Sequence, residues 1–110
     1  MAELGAGTAS AEISIATSRD ADGAPVVSLS GELDSSNVTV VRNAVAAIAA
    51  ERPERLVFDL GGLRFMDSAG IAILVGVAAE LDTVAVRNPT SIVRRLIEVT
   101  GLASVLRIEP

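Results

Sequence analysis

Residues 56–79 constrain the fold more than any other stretch. Leu56-Val57-Phe58-Asp59-Leu60 is a short apolar run, and the segment 69–79 is apolar and uncharged throughout, with the polar pair Asp67-Ser68 directly before it. The first run has the length and residue types of a strand buried on both faces. The second is long enough for a helix, and Asp67 and Ser68 are good residues to start one. A buried strand feeding a helix is half of a strand–helix–strand unit, whose crossover is right-handed and whose strands pair in parallel.

The flanking sequence supplies the other elements. Glu12 to Thr17 alternates polar and apolar residues, as a half-buried strand does. Asp20-Ala21-Asp22-Gly23 has turn chemistry, and Val26 to Ser30 completes a hairpin. Asp34, Ser35, Ser36 and Asn37 are all helix caps in waiting. Val38, Val41, Val45 and Ile48 recur at helical spacing, predicting a helix to about Ala50 that Glu51-Arg52-Pro53 ends. Gly61-Gly62 reads as a turn after the central strand. The next helix is expected from near Ser68 to about Leu81, although Gly76 to Asp82 is short for the segment before another strand. Thr83 to Arg87 is a fourth strand. Asn88-Pro89 reads as a cap with proline in the first turn. Ile92, Val93, Leu96 and Ile97 make the apolar face of a third helix, which Gly101 stops. Ser104 to Ile108 closes as a last strand. The predicted architecture is α/β, in the order β-β-α-β-α-β-α-β, with a small mixed sheet of four or five strands covered by helices. Residues 1–10 read as a loose arm of small residues, and 11–110 as one domain.

Composition excludes several chemistries. The chain has 110 residues, no cysteine and no histidine, and its nine basic residues are all arginine. Disulfides are ruled out, and the commonest general base and metal ligand are missing. Asp67 beside Ser68 has neither a base nor an orienting group to make the hydroxyl a nucleophile, so no enzyme is expected. Asp59 and Asp67 are better explained as a strand end and a helix cap than as Mg²⁺ ligands. Gly61, Gly62, Gly70 and Gly76 match neither phosphate-binding fingerprint, and no cofactor is expected. The net charge of −5 and the scattered arginines, paired only at Arg94-Arg95, argue against nucleic acid. The run 69–79 is far short of the ~20 residues that cross a bilayer. The amino terminus lacks the pattern of a signal peptide. The expected location is the cytoplasm.

The helix after Asp67 is apolar nearly all round. Ile71, Leu74, Val75, Ala78 and Leu81 are expected in the core, leaving Ala72, Ile73 and Val77 to face elsewhere. Such a helix is either fully buried or presents an apolar patch, and in a small domain a patch for a partner is the expectation. Ser68, from physics alone, is first a capping serine.

Phe65-Met66-Asp67-Ser68-Ala69-Gly70-Ile71 resembles the signature of the STAS domain family, in particular the bacterial anti-sigma factor antagonists. Leu29-Ser30-Gly31-Glu32-Leu33-Asp34 resembles the family's other hallmark, the second strand and its turn into the first helix. Asn88-Pro89 through Thr100-Gly101-Leu102 resembles its last helix and final turn. The resemblance spans residues 12–108 and implies a four- or five-stranded sheet with helices packed on it.

It also implies partner switching. An unphosphorylated antagonist of this family binds an anti-sigma factor and so releases a sigma factor. The anti-sigma factor is a histidine-kinase-like ATPase that acts as a serine kinase on the residue matching Ser68, and a PP2C-type phosphatase reverses the reaction. By this resemblance Ser68 is the phosphorylation site, and Asp34, Asp67, Ser68 and Gly70 belong to the partner surface. Ile73 and Val77 join them from the apolar helix. The family usually carries a second hydroxyl after the serine, where this chain has Ala69. Alanine there also resembles STAS subunits of lipid-transport ABC systems, which bind an ATPase without being switched. A monomer or a weak dimer fits either reading.

Overall fold

The alternation of strand-like and helix-like runs folds into one five-stranded sheet with three helices. The computed structural model describes residues 13–109; the arm expected over residues 1–10 lies outside them. Strand β1 is Ile13–Arg19, β2 Pro25–Leu33, β3 Arg55–Met66, β4 Thr83–Arg87 and β5 Arg107–Glu109. Helix α1 is Val38–Ala49, α2 Ser68–Glu80 and α3 Ser91–Val99. A short 3₁₀ turn, Leu102–Ser104, precedes β5. The spatial order is β1-β2-β3-β4-β5. β1 and β2 pair antiparallel, and every other pair is parallel. The order β-β-α-β-α-β-α-β and the mixed sheet are those expected from the sequence.

Strand pleating sends successive side chains to opposite faces. On one face Val27, Leu29, Leu56, Phe58, Leu60, Val84 and Val86 join the buried faces of the helices in one core. Val38, Val41, Val45 and Ala49 are the buried residues of α1, and full burial of each valine stabilises by about 1.5–3 kcal/mol. On the other face Val26, Val57 and Ala85 form a small second cluster. Arg55, Arg87 and Glu109 share that face by strand parity, and ion pairs join them to Asp20 of the β1–β2 turn.

Three local expectations are corrected. Gly61-Gly62 is not a turn: β3 runs straight through it. A side chain at Gly62 would meet Ser30 Oγ at 2.5 Å and Cβ at 3.0 Å, so glycine is needed for the close approach of β2. The pairing register shifts around Ser28–Ser30 and again at Gly31–Glu32, where Gly31 has φ 106°. These bulges carry β2 and β3 onward to Leu33 and Met66. Asn88 is not the cap of α3; it turns left-handed at φ 55°. The cap is Thr90, whose Oγ1 accepts from the Val93 N–H at 3.4 Å and donates to the Leu63 carbonyl at 3.0 Å. The last strand starts at Arg107 rather than Ser104, because residues 102–104 wind into the 3₁₀ turn that follows Gly101, at φ 81°. α2 runs nearly to its expected end at Leu81. It reaches Glu80, and only Leu81 and Asp82 separate it from β4.

Candidate functional site

The prolonged ends of β2 and β3 build the site. Leu33 pairs with Met66 in parallel register, so the next residues, Asp34 and Asp67, leave the sheet side by side. The Asp67 N–H donates to the Leu33 carbonyl at 3.2 Å, extending that pairing by one bond. Asp67 then caps α2: its side-chain oxygen accepts from the Ala69 N–H at 2.9 Å, and its carbonyl accepts from Gly70 and Ile71. These bonds meet most of the donors that a helix start leaves open. Ser68 follows as the first residue of the helix, exposed, and among the described residues its hydroxyl has no hydrogen-bond partner. A cap is therefore present, but it is Asp67, and Ser68 is free for other chemistry.

Gly70 explains why the helix can start so close to the sheet. It is buried, and a Cβ there would run into Met66 Cγ, come within 2.8 Å of Met66 Sδ and 2.9 Å of Leu33 Cδ2. The glycine lets the first turn of α2 rest on the ends of both strands. Gly70, expected on a partner surface, is thus buried beneath Ser68 and seats it.

The loop carrying Asp34 is equally defined. Asp34 accepts from both the hydroxyl and the N–H of Ser36, the latter at 2.9 Å. The Ser36 hydroxyl, then the Ser36 N–H, hold the Asp34 carboxyl below the usual carboxylate range. Asn37 is buried, at 2% exposure. Its side chain donates to the Glu32 carbonyl at 2.8 Å and accepts from the Asp34 N–H at 3.1 Å. Among the described residues neither Asp34 nor Asp67 has an ion-pair partner, and no group of acidic side chains has the arrangement of a metal site.

The apolar helix is rotated relative to the sequence expectation. Ile73 and Val77, expected on the partner face, are each 7% exposed and lie in the core with Leu74. Val75, expected in the core, is 43% exposed. The reason is that a helix whose one charge, Glu80, sits at its last residue has no polar side to fix its rotation; the seat of Gly70 fixes it instead, and places Ile73 and Val77 on the same buried stripe. The outward face consists of Ala72, Val75, Gly76 and Ala79. Of the expected site residues, the structure brings Asp34, Asp67 and Ser68 together, puts Gly70 beneath them and removes Ile73 and Val77. Phe65, 44% exposed just before the Asp-Ser step, and Val40 of α1, 49% exposed, were missed as surface residues. Strand alternation gives Phe65 away once Met66 is known to point inward. Among the described residues, no helix is long and apolar enough to cross a membrane.

Comparison with known proteins agrees with this geometry. The family model described as Mlab, STAS domain, matches residues 16–108. An anti-sigma F factor antagonist of Lysinibacillus sphaericus is 37% identical over 70% of this chain and 70% of its own length. The anti-sigma-F factor antagonist RsfB of Mycobacterium tuberculosis is 30% identical over 84% of this chain and 78% of its own. Among solved structures, an anti-sigma factor antagonist from Mycobacterium paratuberculosis superposes with a TM-score of 0.83 at 32% identity, covering 94% of this chain and 90% of that one. The unphosphorylated antagonist SpoIIAA shares the fold, with a TM-score of 0.73 at 23% identity over 86% of this chain and 87% of its own. The sheet order, the Asp67-Ser68 helix start and these likenesses converge: the chain belongs to the STAS domain family, and its relatives are anti-sigma factor antagonists.

Proposed function

We propose that this protein is an anti-sigma factor antagonist that docks an anti-sigma factor through the end of the sheet bearing Asp34, Asp67 and Ser68, and is released when Ser68 is phosphorylated. The observation that carries this reading is the Ser68 hydroxyl, exposed and without a partner, on a helix start already capped by Asp67. In the switching step Ser68 Oγ attacks the γ-phosphorus of ATP held by the partner kinase. The bond to the β-phosphate oxygen breaks, ADP leaves, and the hydroxyl proton passes to a base of the kinase. A PP2C-type phosphatase restores the hydroxyl by hydrolysis.

Charge and fold make the step reversible in effect. Phosphate adds about −1.5 to −2 charge at pH 7. The positive end of the α2 dipole tolerates it, so the fold survives. A partner docked there meets a dianion beside two carboxylates that no arginine among the described residues neutralises. A hundredfold loss of affinity needs only about 2.7 kcal/mol. The test is intact mass after incubation with the cognate anti-sigma kinase and ATP. Wild type gains one phosphate and Ser68→Ala none; a phosphate retained by Ser68→Ala would sink the assignment.

A second reading has its own support. The matching family model carries the description Mlab, and Ala69 occupies the place of the family's second hydroxyl. On that reading the protein is a constitutive accessory subunit of a lipid-transport ATPase. Ser68→Asp would then bind its partner as tightly as wild type.

A further inference from the structure

Asn37 is the one polar side chain that is buried among the described residues. Such a group persists only when its hydrogen bonds are met. Here both are met by backbone on either side of a single residue, Leu33: the Glu32 carbonyl at 2.8 Å and the Asp34 N–H at 3.1 Å. The Asn37 N–H also donates to the Asp34 carbonyl at 3.2 Å. The carboxamide does not cap its own helix; Asn37 stands at the N-cap of α1 with no side-chain cap bond. Its hydrogen bonding goes instead to the segment where β2 shifts register against β3 and turns away from the sheet.

That segment decides where Asp34 stands. Leu33 is held from the β3 side by the Asp67 N–H and packs against the Gly70 seat. Asn37 holds it from the α1 side. Without the clasp, Asp34 keeps its local bonds to Ser36 but loses its fixed place next to Asp67 and Ser68. We infer that Asn37 is the positioning residue of the docking surface, its buried carboxamide fixing Asp34 for the partner without touching the partner itself. This rests on the docking reading above, and goes beyond it by naming the group that orders the surface.

The test is a four-cornered cycle of affinity for the cognate anti-sigma factor: wild type, Asn37→Ser, Asp34→Asn and the double variant, each with a melting curve. Each single change is expected to weaken binding about tenfold, and the double variant to be no weaker than Asp34→Asn alone, because Asn37 acts through Asp34. Asn37→Thr, which carries the same hydroxyl as serine on a bulkier side chain, is run beside Asn37→Ser in case the serine variant does not fold; it too is expected to weaken binding about tenfold. A readout without the partner is hydrogen exchange at the Asp34 N–H, which donates to the Asn37 carboxamide at 3.1 Å and should exchange faster in the Asn37 variants. Wild-type affinity in an Asn37 variant, an Asp34 N–H that exchanges no faster, or losses that multiply in the double variant would overturn the inference. Wild-type affinity in Asp34→Asn fails the docking reading at Asp34 instead, while the exchange of the Asp34 N–H still judges the clasp.

Discussion

Two acidic clusters on this small domain are built on opposite plans. At the carboxyl ends of β2 and β3, Asp34 and Asp67 are satisfied by N–H groups and a hydroxyl of their own neighbourhoods. On the sheet face away from the helices, Asp20 and Glu109 are tied to Arg55, each at 2.7 Å, and lie 3.7 and 3.6 Å from Arg87. The second cluster links the first hairpin to the last strand and neutralises its own charge. The first leaves two carboxylates and a free hydroxyl facing outward. One set of residue types thus holds the sheet in one place and, on the proposed reading, offers a charge-sensitive surface in the other. Changes at the strand ends should alter binding with little effect on melting, and changes at the ion-pair cluster the reverse.

Ser68→Asp should separate the two regions most sharply. It is expected to bind the anti-sigma factor on the order of a hundredfold more weakly while its unfolding free energy stays within about 0.5 kcal/mol of wild type. Equal binding with unchanged melting would move the protein to the constitutive reading. Gly70→Ala is the exception that sharpens the contrast, because this site residue is buried. The new Cβ displaces Met66 and Leu33, and denaturant unfolding should register a loss of about 1–3 kcal/mol.

Arg55→Met attacks the other cluster. It leaves Asp20 and Glu109 without their shortest ion pairs, and the melting temperature should fall on the order of 5 °C with partner affinity untouched. Burial alone would push the Asp20 carboxyl up. The N–H groups of Ala24 and Asp22 and the Arg55 guanidinium outweigh it, so the carboxyl lies below its usual range. Its contribution is therefore complete above about pH 4 and is lost as pH falls through the lowered value. Acid titration of Asp20→Asn should be flatter than wild type in that window; a parallel curve would deny Asp20 the role. Thr90→Val is the smallest change. It removes the α3 cap and the tie to Leu63, and should cost about 1 kcal/mol in chemical denaturation.

The contrast also explains what the sequence reveals. β1, α1 and α3 are legible because period-2 and period-3.6 patterns are explicit there, and Asp67-Ser68 stands out as a polar step between apolar runs. The rotation of α2 is not legible: Ile73, Val75 and Val77 are equally apolar, and only the close seat of Gly70 against Met66 decides which of them is buried. Gly61-Gly62 misleads because a glycine pair serves equally for a turn and for a close strand approach. Asn37 is hidden among four consecutive capping residues, and its distinction is burial, a tertiary fact. Thr90 is masked by the more conspicuous Asn88-Pro89.

The central claim is that one hydroxyl converts a docking surface into a repelling one without disturbing the fold. The direct measurement is a pair of binding isotherms for the cognate anti-sigma factor, using the protein before and after stoichiometric phosphorylation on Ser68, with a melting curve for each form. Affinity lower by about a hundredfold with superimposable melting is the expected result. Equal affinity in the two forms, or a phosphorylated form that has lost its cooperative unfolding, would contradict it.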